Sequence, residues 1–139
     1  DMPCSNAFKI VRGNGKRQVA YFSDPNCPWC RKLDQEFAQM NDVTVHVFLY
    51  PILSAESLPK AKAVWCSPDR TKAWLDLMLK NTMPSAAGNC DTPIEQVLAF
   101  GRKHKVDGVP TIVFTNGDRV SGYRTAAQLS QMIDAAVKK

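Results

Sequence analysis

The sequence lacks the features of a membrane protein, a repeat protein or a disordered chain. None of its apolar runs approaches the roughly 18 residues that a membrane helix requires, so we expect a soluble protein without membrane insertion. No internal repeat or linker interrupts the chain. Its 139 residues are 45% hydrophobic and 22% charged, which is typical of one packed domain.

The sequence also has no clustered basic patch, although lysine and arginine outnumber the acids by 18 to 13. The basic residues are scattered, as in Arg102 with Lys103 or Lys138 with Lys139, and aromatic residues do not alternate with them. A nucleic-acid site requires a basic cluster or a recognised motif. We therefore interpret the positive charge as a solvated surface and expect no nucleic-acid partner.

Cysteine, in contrast, is abundant. Five cysteines in 139 residues are more than a cytosolic enzyme usually carries, and they favour an oxidising compartment. If Cys27 pairs with Cys30 and Cys66 pairs with Cys90, Cys4 near the N-terminus is left without an intramolecular partner.

Hydrophobic periodicity predicts an α/β fold. The segment QVAYFS (18–23) is a buried strand that ends in a turn, a helix follows from Trp29, and VTVHVFLYP (43–51) is a strand of the kind that a parallel sheet covers on both faces. Beyond this βαβ unit we expect helices at about 55–66, 68–80 and 93–104, a hairpin with Asn116-Gly117 at its turn, and a C-terminal helix that Thr125 can cap.

The pair Cys27 and Cys30, in SDPNCPWCRKL, allows three interpretations: a zinc site, a structural pair or a redox centre. Zinc requires four ligands, and a second C-x-x-C or C-x-x-H pair is absent, so we expect no metal. A C-x-x-C that follows a strand and opens a helix is a redox signature, because the first sulfur faces the unpaired N–H groups and the positive end of the helix dipole. Cys27 is then the nucleophile and Cys30 the resolving thiol. An inert structural pair remains the alternative.

Three further features of the sequence bear on the function of this pair. Pro28 suits the first position of a helix, where no N–H is needed. Asp24 could accept a proton from Cys30, but Ser-Asp-Pro-Asn is a strong turn signal and we expect a turn role. Pro110, in GVPT, stands at the start of the first hairpin strand, where it would leave the preceding backbone free to pair with an incoming chain. A trans proline in a loop is the alternative there.

Together these features resemble the thioredoxin fold of the bacterial periplasmic Dsb proteins. The segments AVWCSPDRTKAWLDLM, SAAGNCD and GVPTIVFTNGDRVSGY are similar to the catalytic domain of the DsbC and DsbG disulfide isomerases, and the resemblance covers about residues 17–137. It implies an α/β, thioredoxin-like fold, with a central mixed sheet flanked by helices. A helical insertion at about 55–105 is expected between the first βαβ unit and the C-terminal hairpin.

The resemblance also implies the roles of individual residues. Cys27 attacks a disulfide of a secreted protein, Cys30 resolves the mixed disulfide, and no cofactor is needed. Cys66 and Cys90 match a structural disulfide, and Pro110 is expected to be cis. The residues expected to line the substrate groove are Pro28, Trp29, Val109, Pro110 and Thr111.

Two positions depart from the isomerase pattern. Pro28-Trp29 stands where Gly-Tyr is usual, and Val109 stands where threonine is usual before the cis proline. In that family, both positions influence the reduction potential of the cysteine pair and the binding of substrate. Beside an isomerase or reductase, two alternatives therefore stay open: a disulfide-donating oxidase of the DsbA type, and a chaperone-like module that binds unfolded chains.

The implied partners are unfolded or misoxidised proteins and a membrane thiol reductase of the Dsb system, and the implied location is the periplasm. The chain begins at Asp1, so we expect that an upstream segment has been removed and that no signal peptide is visible. Residues 1–16 are expected to be an N-terminal segment or linker remnant, and 17–139 the catalytic domain. A homodimer is expected only if the N-terminal dimerisation domain of that family precedes this chain.

Overall fold

The computed structural model describes residues 3–137. After a short 3-10 turn at Cys4–Asn6, its strands are β1 (Phe8–Arg12), β2 (Arg17–Ser23), β3 (Val43–Leu49), β4 (Thr111–Val113) and β5 (Arg119–Ser121). Its helices are α1 (Pro28–Phe37), α2 (Ser57–Trp65), α3 (Arg70–Lys80), α4 (Ile94–Lys103) and α5 (Ala126–Val137). The three central helices confirm the predicted helical insertion.

One mixed sheet joins the five described strands in the order β1-β3-β2-β4-β5. β2 and β3 are parallel, with Val19 opposite Val45, as the predicted βαβ unit requires. β4 and β5 form the predicted antiparallel hairpin, in which Gly117 adopts a φ of 92° at the turn. This conformation is accessible to glycine without steric cost.

The hydrophobic core divides between the two faces of the sheet. Because side chains alternate along a strand, Tyr21 and Val45 face the larger cluster, which α1, α3 and α5 cover. Phe22 and Phe48 point to the opposite face, where Val97 of α4 packs against them. The parallel strands are thus buried on both sides, which explains their nearly continuous apolar sequence.

The C-terminal helix begins with the capping arrangement that its sequence predicts. The hydroxyl of Thr125 accepts a hydrogen bond from the N–H of Gln128 at 3.2 Å, and the Gln128 side chain accepts one from the N–H of Thr125 at 2.9 Å. This reciprocal pair satisfies two N–H groups that the first helical turn leaves free. Lys138 and Lys139, which follow this helix in the sequence, lie outside the described residues.

The N-terminal boundary differs from the prediction. Residues 1–16 were expected to be a segment or linker remnant outside the catalytic domain, but Phe8–Arg12 is an edge strand, paired antiparallel with β3. Phe8 and Ile10 are buried while Lys9 and Val11 are exposed. In the sequence FKIVR does not alternate strictly, because the exposed Val11 is apolar, so the pattern alone does not identify a half-buried strand. The outer ends of the two predicted ranges, residues 1–2 and 138–139, are not described.

The described helices are short or polar. Over residues 3–137, none combines the length and hydropathy that crossing a membrane requires.

Candidate active site

Cys27 lies at the junction of β2 and α1. It is the N-cap residue of α1, and its sulfur accepts a hydrogen bond from the backbone N–H of Cys30 at 3.0 Å. Pro28 occupies the first helical turn, where its missing N–H leaves no acceptor unsatisfied. The strand-to-helix position predicted for the C-x-x-C motif is therefore confirmed.

The surroundings of Cys27 favour its thiolate. A hydrogen bond from the Cys30 thiol is the largest effect that lowers the pKa of Cys27, and the backbone N–H groups of Cys30 and Trp29 lower it further. Burial and the charge of Asp24 act in the opposite direction, but the net pKa is lowered. A thiolate is the reactive form in disulfide exchange, so Cys27 is suited to attack.

Cys30 has the opposite character. It is fully buried, and burial raises its pKa far above the ordinary value, with a further increase from the hydrogen bond that it shares with Cys27. The hydroxyl of Ser23 and the backbone at Asp24 lower the pKa without compensating for burial. Cys30 therefore keeps its proton in the dithiol state, so the two sulfurs differ in acidity.

The loop before β4 lies against Cys27. The Val109–Pro110 bond is cis, as the resemblance implied, and the Cys27 sulfur is 3.8 Å from the carbonyl oxygen of Val109. Val109 is half-buried, whereas Pro110 and Thr111 are buried. The Thr111 hydroxyl donates to the carbonyl of Gly108 at 2.8 Å. Thr111 thus fixes the loop from inside, and its side chain is not part of the exposed surface.

An exposed aromatic surface adjoins the thiol. The Trp29 side chain is 53% exposed, its ring centre lies 5.7 Å from that of Tyr123, and the Lys32 ammonium lies 4.5 Å above it. The Tyr123 hydroxyl donates to Glu36 at 2.7 Å, which holds the tyrosine against α1. The sequence predicts a place beside the thiol for Trp29 but not for Tyr123, which follows β5 and carries no local signal of its position.

Asp24 has the turn role that its sequence context favours. Its fully buried carboxylate accepts hydrogen bonds from the N–H groups of Asn26, Ile52 and Leu53 and from the Ser57 hydroxyl, each at 2.8 Å. These four donors tie the loop before Cys27 to the loop after β3 and to the start of α2. Four charge-assisted bonds account for the lone pairs of the carboxylate.

A second buried acid, Asp34, was not predicted. It lies on α1 at 0% exposure, accepting hydrogen bonds from the Tyr21 hydroxyl at 2.6 Å and the Trp74 indole N–H at 3.2 Å. Burial raises the pKa of Asp34 to about 7, although both hydrogen bonds and the charge of Arg12 lower it. In the sequence Asp34 resembles any polar residue of an amphipathic helix.

The remaining cysteines are arranged as expected. Cys66, at the C-terminal end of α2, forms a disulfide with Cys90 in the loop after α3. Cys4 is free and exposed. Within residues 3–137 no three histidine, cysteine or acidic side chains form a group that could hold a metal ion.

Comparison with known proteins places this geometry in a family. The sequence matches the thioredoxin-like domain family over residues 4–137. The crystal structure of a disulfide interchange protein from Neisseria gonorrhoeae superposes with a TM-score of 0.95 at 44% identity, covering 99% of this chain and 100% of that one. A periplasmic thioredoxin-like protein from Salmonella enterica, with a TM-score of 0.71 at 19% identity over 96% of this chain and 91% of that one, shares the fold.

Two relatives are longer than this chain. A protein of Bordetella parapertussis named probable thiol:disulfide interchange protein DsbC is 45% identical over 122 residues, which are 88% of this chain and 43% of that protein. The Escherichia coli K12 protein named thiol:disulfide interchange protein DsbC is 31% identical over 123 residues, 86% of this chain and 51% of that protein. The chain therefore spans about half the length of these relatives or less.

Proposed function

The chain belongs to the thioredoxin-like family, among the disulfide interchange proteins, and we propose that it is a thiol–disulfide oxidoreductase that isomerises or reduces disulfides of secreted proteins. One observation carries the proposal. The sulfur of Cys27 caps α1, accepts the N–H of Cys30 at 3.0 Å and lies 3.8 Å from the carbonyl that precedes the cis proline. A stabilised thiolate is thus held beside backbone that can receive an extended chain.

The proposed reaction begins with attack by Cys27. Its thiolate attacks one sulfur of a substrate disulfide, a mixed disulfide forms, and the other substrate sulfur leaves as a thiolate. In isomerisation, another thiolate of the same substrate attacks the mixed disulfide and releases Cys27 unchanged. In reduction, Cys30 attacks Cys27, the Cys27–Cys30 disulfide forms, and the second substrate sulfur leaves as a thiolate.

The residues around the thiol are proposed to bind the substrate chain. Pro28 and Trp29 are exposed beside Cys27, and the carbonyl oxygen of the half-buried Val109 is 3.8 Å from the Cys27 sulfur. Pro110 follows Val109 and is buried, so it is proposed to shape this surface from below. The exposed side chains Ile52 and Leu53 follow β3, and their N–H groups bind the loop that precedes Cys27. Thr111 contributes by fixing the loop before β4 through its hydrogen bond to the carbonyl of Gly108, since its side chain is buried. The Cys66–Cys90 disulfide is proposed to be structural.

The proposed partners follow from the chemistry and from the family. Unfolded or misoxidised secreted proteins are the substrates, and a membrane thiol reductase of the Dsb system returns the Cys27–Cys30 disulfide to the dithiol. The proposed location is the periplasm, in keeping with the Cys66–Cys90 disulfide, which an oxidising compartment favours.

Two assays on the 139-residue chain test the proposal. We expect it to reduce a model disulfide efficiently, because Cys27 is a stabilised thiolate. We expect it to recover a scrambled multi-disulfide enzyme less well than a full-length relative does, because the 139 residues span only about half the length of those relatives or less and offer a smaller surface to hold an unfolded chain.

Variants separate this function from the two alternatives. Cys27→Ala should abolish both activities. A binding module would be favoured instead if the wild type showed no exchange activity and Cys27→Ala still protected unfolded chains from aggregation. Rapid oxidation of a reduced substrate by the disulfide form, without recovery of scrambled protein, would favour an oxidase.

A further inference from the structure

Asp34 lies one helical turn after Cys30 on the same face of α1. Both residues are at 0% exposure, so each faces the larger core cluster. Side chains four residues apart on a helix are neighbours, with Cβ atoms about 5–6 Å apart. The carboxyl group and the resolving thiol are therefore neighbours in a region that water does not reach freely.

The Asp34 carboxyl group has one oxygen free to react. Its Oδ2 accepts hydrogen bonds from Tyr21 and Trp74, whereas its Oδ1 is buried and has no hydrogen-bond partner within residues 3–137. A buried acceptor without a hydrogen-bond partner lowers the stability of the fold. The unpaired Oδ1 therefore suggests a functional role. It is available to receive a proton.

The charged and titratable groups around Asp34 come from three elements. Arg12 of β1 is attracted to the carboxylate, Tyr21 of β2 donates to it, and Cys30 precedes it on α1. The pKa of Tyr21 is raised by burial, then by Asp34 and also by the charge of Cys30. The phenol thus responds electrostatically to both groups, which supports their proximity. From α3 the neighbour is Trp74, which does not titrate.

The resolving step requires a proton acceptor. Cys30 must become a thiolate before it can attack, and burial opposes that charge. Asp24, the acceptor that the sequence suggests, is already engaged by four donors. The Ser23 hydroxyl can donate to a thiolate but is too weak a base to take its proton. Among the residues that the structure describes, Asp34 is the buried carboxyl group that remains near Cys30.

We propose that Asp34 accepts the proton of Cys30, directly or through one bridging water, when Cys30 resolves the mixed disulfide. The inference rests on the proposed function. The S–H bond of Cys30 breaks as an O–H bond forms on Asp34, the Cys30 thiolate attacks the Cys27 sulfur, and the substrate sulfur leaves as a thiolate. When the disulfide is reduced again, Cys30 leaves as a thiolate and regains the proton from Asp34.

A coloured aromatic disulfide separates the two steps. In a Cys4→Ser background, attack by Cys27 releases one coloured thiolate, and resolution by Cys30 releases the second. We expect the rate of the first phase in Asp34→Asn to stay within about twofold of the wild-type rate. The rate of the second phase should fall about 10²-fold near pH 7, which is at the lower end of the effects seen when a general base is lost. The second-phase rate should reach a plateau with rising pH in the wild type and rise without one in Asp34→Asn.

Control variants define the measurement. Cys30→Ser should remove the second phase entirely. Asp76→Asn, which removes a carboxylate on α3 that pairs with Lys72, should change neither phase. Tyr21→Phe removes a donor that lowers the pKa of Asp34, so it should move the midpoint of the second-phase pH profile upward and keep the plateau.

The outcomes distinguish the inference from the proposed function. An Asp34→Asn variant with an unchanged second-phase pH profile, or with both phases slowed equally, would overturn the role of Asp34 while leaving the function intact. A wild type without a first phase would instead overturn the function. If Asp34→Asn does not fold, a measurement on the wild type still tests the role of Asp34. The carboxyl carbon of Asp34, followed by NMR, must titrate with the midpoint of the second phase, and a different midpoint would refute the inference.

Discussion

Replacing Asp34 by asparagine should change how the stability of the protein depends on pH. Burial raises the pKa of Asp34 from its ordinary 3.8 to about 7. Between these values the unfolded chain has released the proton and the folded protein still holds it. Unfolding therefore releases a proton in this range, and rising pH destabilises the fold.

The magnitude follows from the two pKa values. Each pH unit between them corresponds to 1.36 kcal/mol, so the interval from 3.8 to about 7 amounts to roughly 4 kcal/mol. Asparagine has similar shape, can accept the hydrogen bonds of Tyr21 and Trp74, and does not titrate. The free energy of unfolding of Asp34→Asn minus that of the wild type should therefore increase by roughly 4 kcal/mol between about pH 4 and pH 8.

Urea unfolding at a series of pH values measures this difference. Both proteins should be prepared as dithiols and unfolded in air-free buffer after removal of the reductant, because the redox state of Cys27 and Cys30 must be the same. Other titrating groups contribute equally to both proteins and cancel. A difference that stays constant from pH 4 to pH 8, or that changes only below pH 5, would refute the raised pKa of Asp34.

Three further predictions concern the thiol, the disulfide and α4. Cys27 should titrate below the roughly 8.5 of a free thiol; thiolate absorbance of the wild type minus that of Cys27→Ser measures this, and an ordinary value would contradict it. Replacing both Cys66 and Cys90 by alanine should lower the free energy of unfolding by about 3.5 kcal/mol, from closure of a loop of 24-residue separation; an unchanged urea midpoint would count against a structural role. Gly101→Ala should lower the free energy of unfolding by about 1–3 kcal/mol, because the added Cβ would overlap the ring of Tyr50, which follows β3. The control Gly108→Ala, where a Cβ has open space, should cost less than about 0.5 kcal/mol, and equal losses would show that the close packing is not the cause.

The sequence predicted those parts of the molecule that local patterns determine. The strand before Cys27, the helix after it and the hairpin at Asn116-Gly117 each carry a signal within a few residues, and each is present. The cis bond before Pro110 and the Cys66–Cys90 disulfide followed from the resemblance to a family.

The parts that were missed depend on residues distant in sequence. The strand β1 owes its position to pairing with β3, more than 30 residues later, and the exposed but apolar Val11 interrupts the alternation that would identify it. Asp34 is polar in a helix with an exposed face, and its hydrogen-bond partners lie on other elements: Trp74 is 40 residues on and Tyr21 is 13 residues before. Sequence periodicity indicates which face of a helix is apolar, but it does not reveal a buried polar residue whose partners lie on other elements.

Trapping the mixed disulfide tests the central claim, that Cys27 attacks and Cys30 resolves. A Cys4→Ser/Cys30→Ser variant, incubated with a protein that contains a disulfide, should accumulate a covalent adduct that peptide mapping assigns to Cys27. With Cys30 present the adduct should disappear, and the Cys27–Cys30 disulfide should appear in its place. Absence of an adduct on Cys27, or an adduct that persists equally when Cys30 is present, would contradict the account.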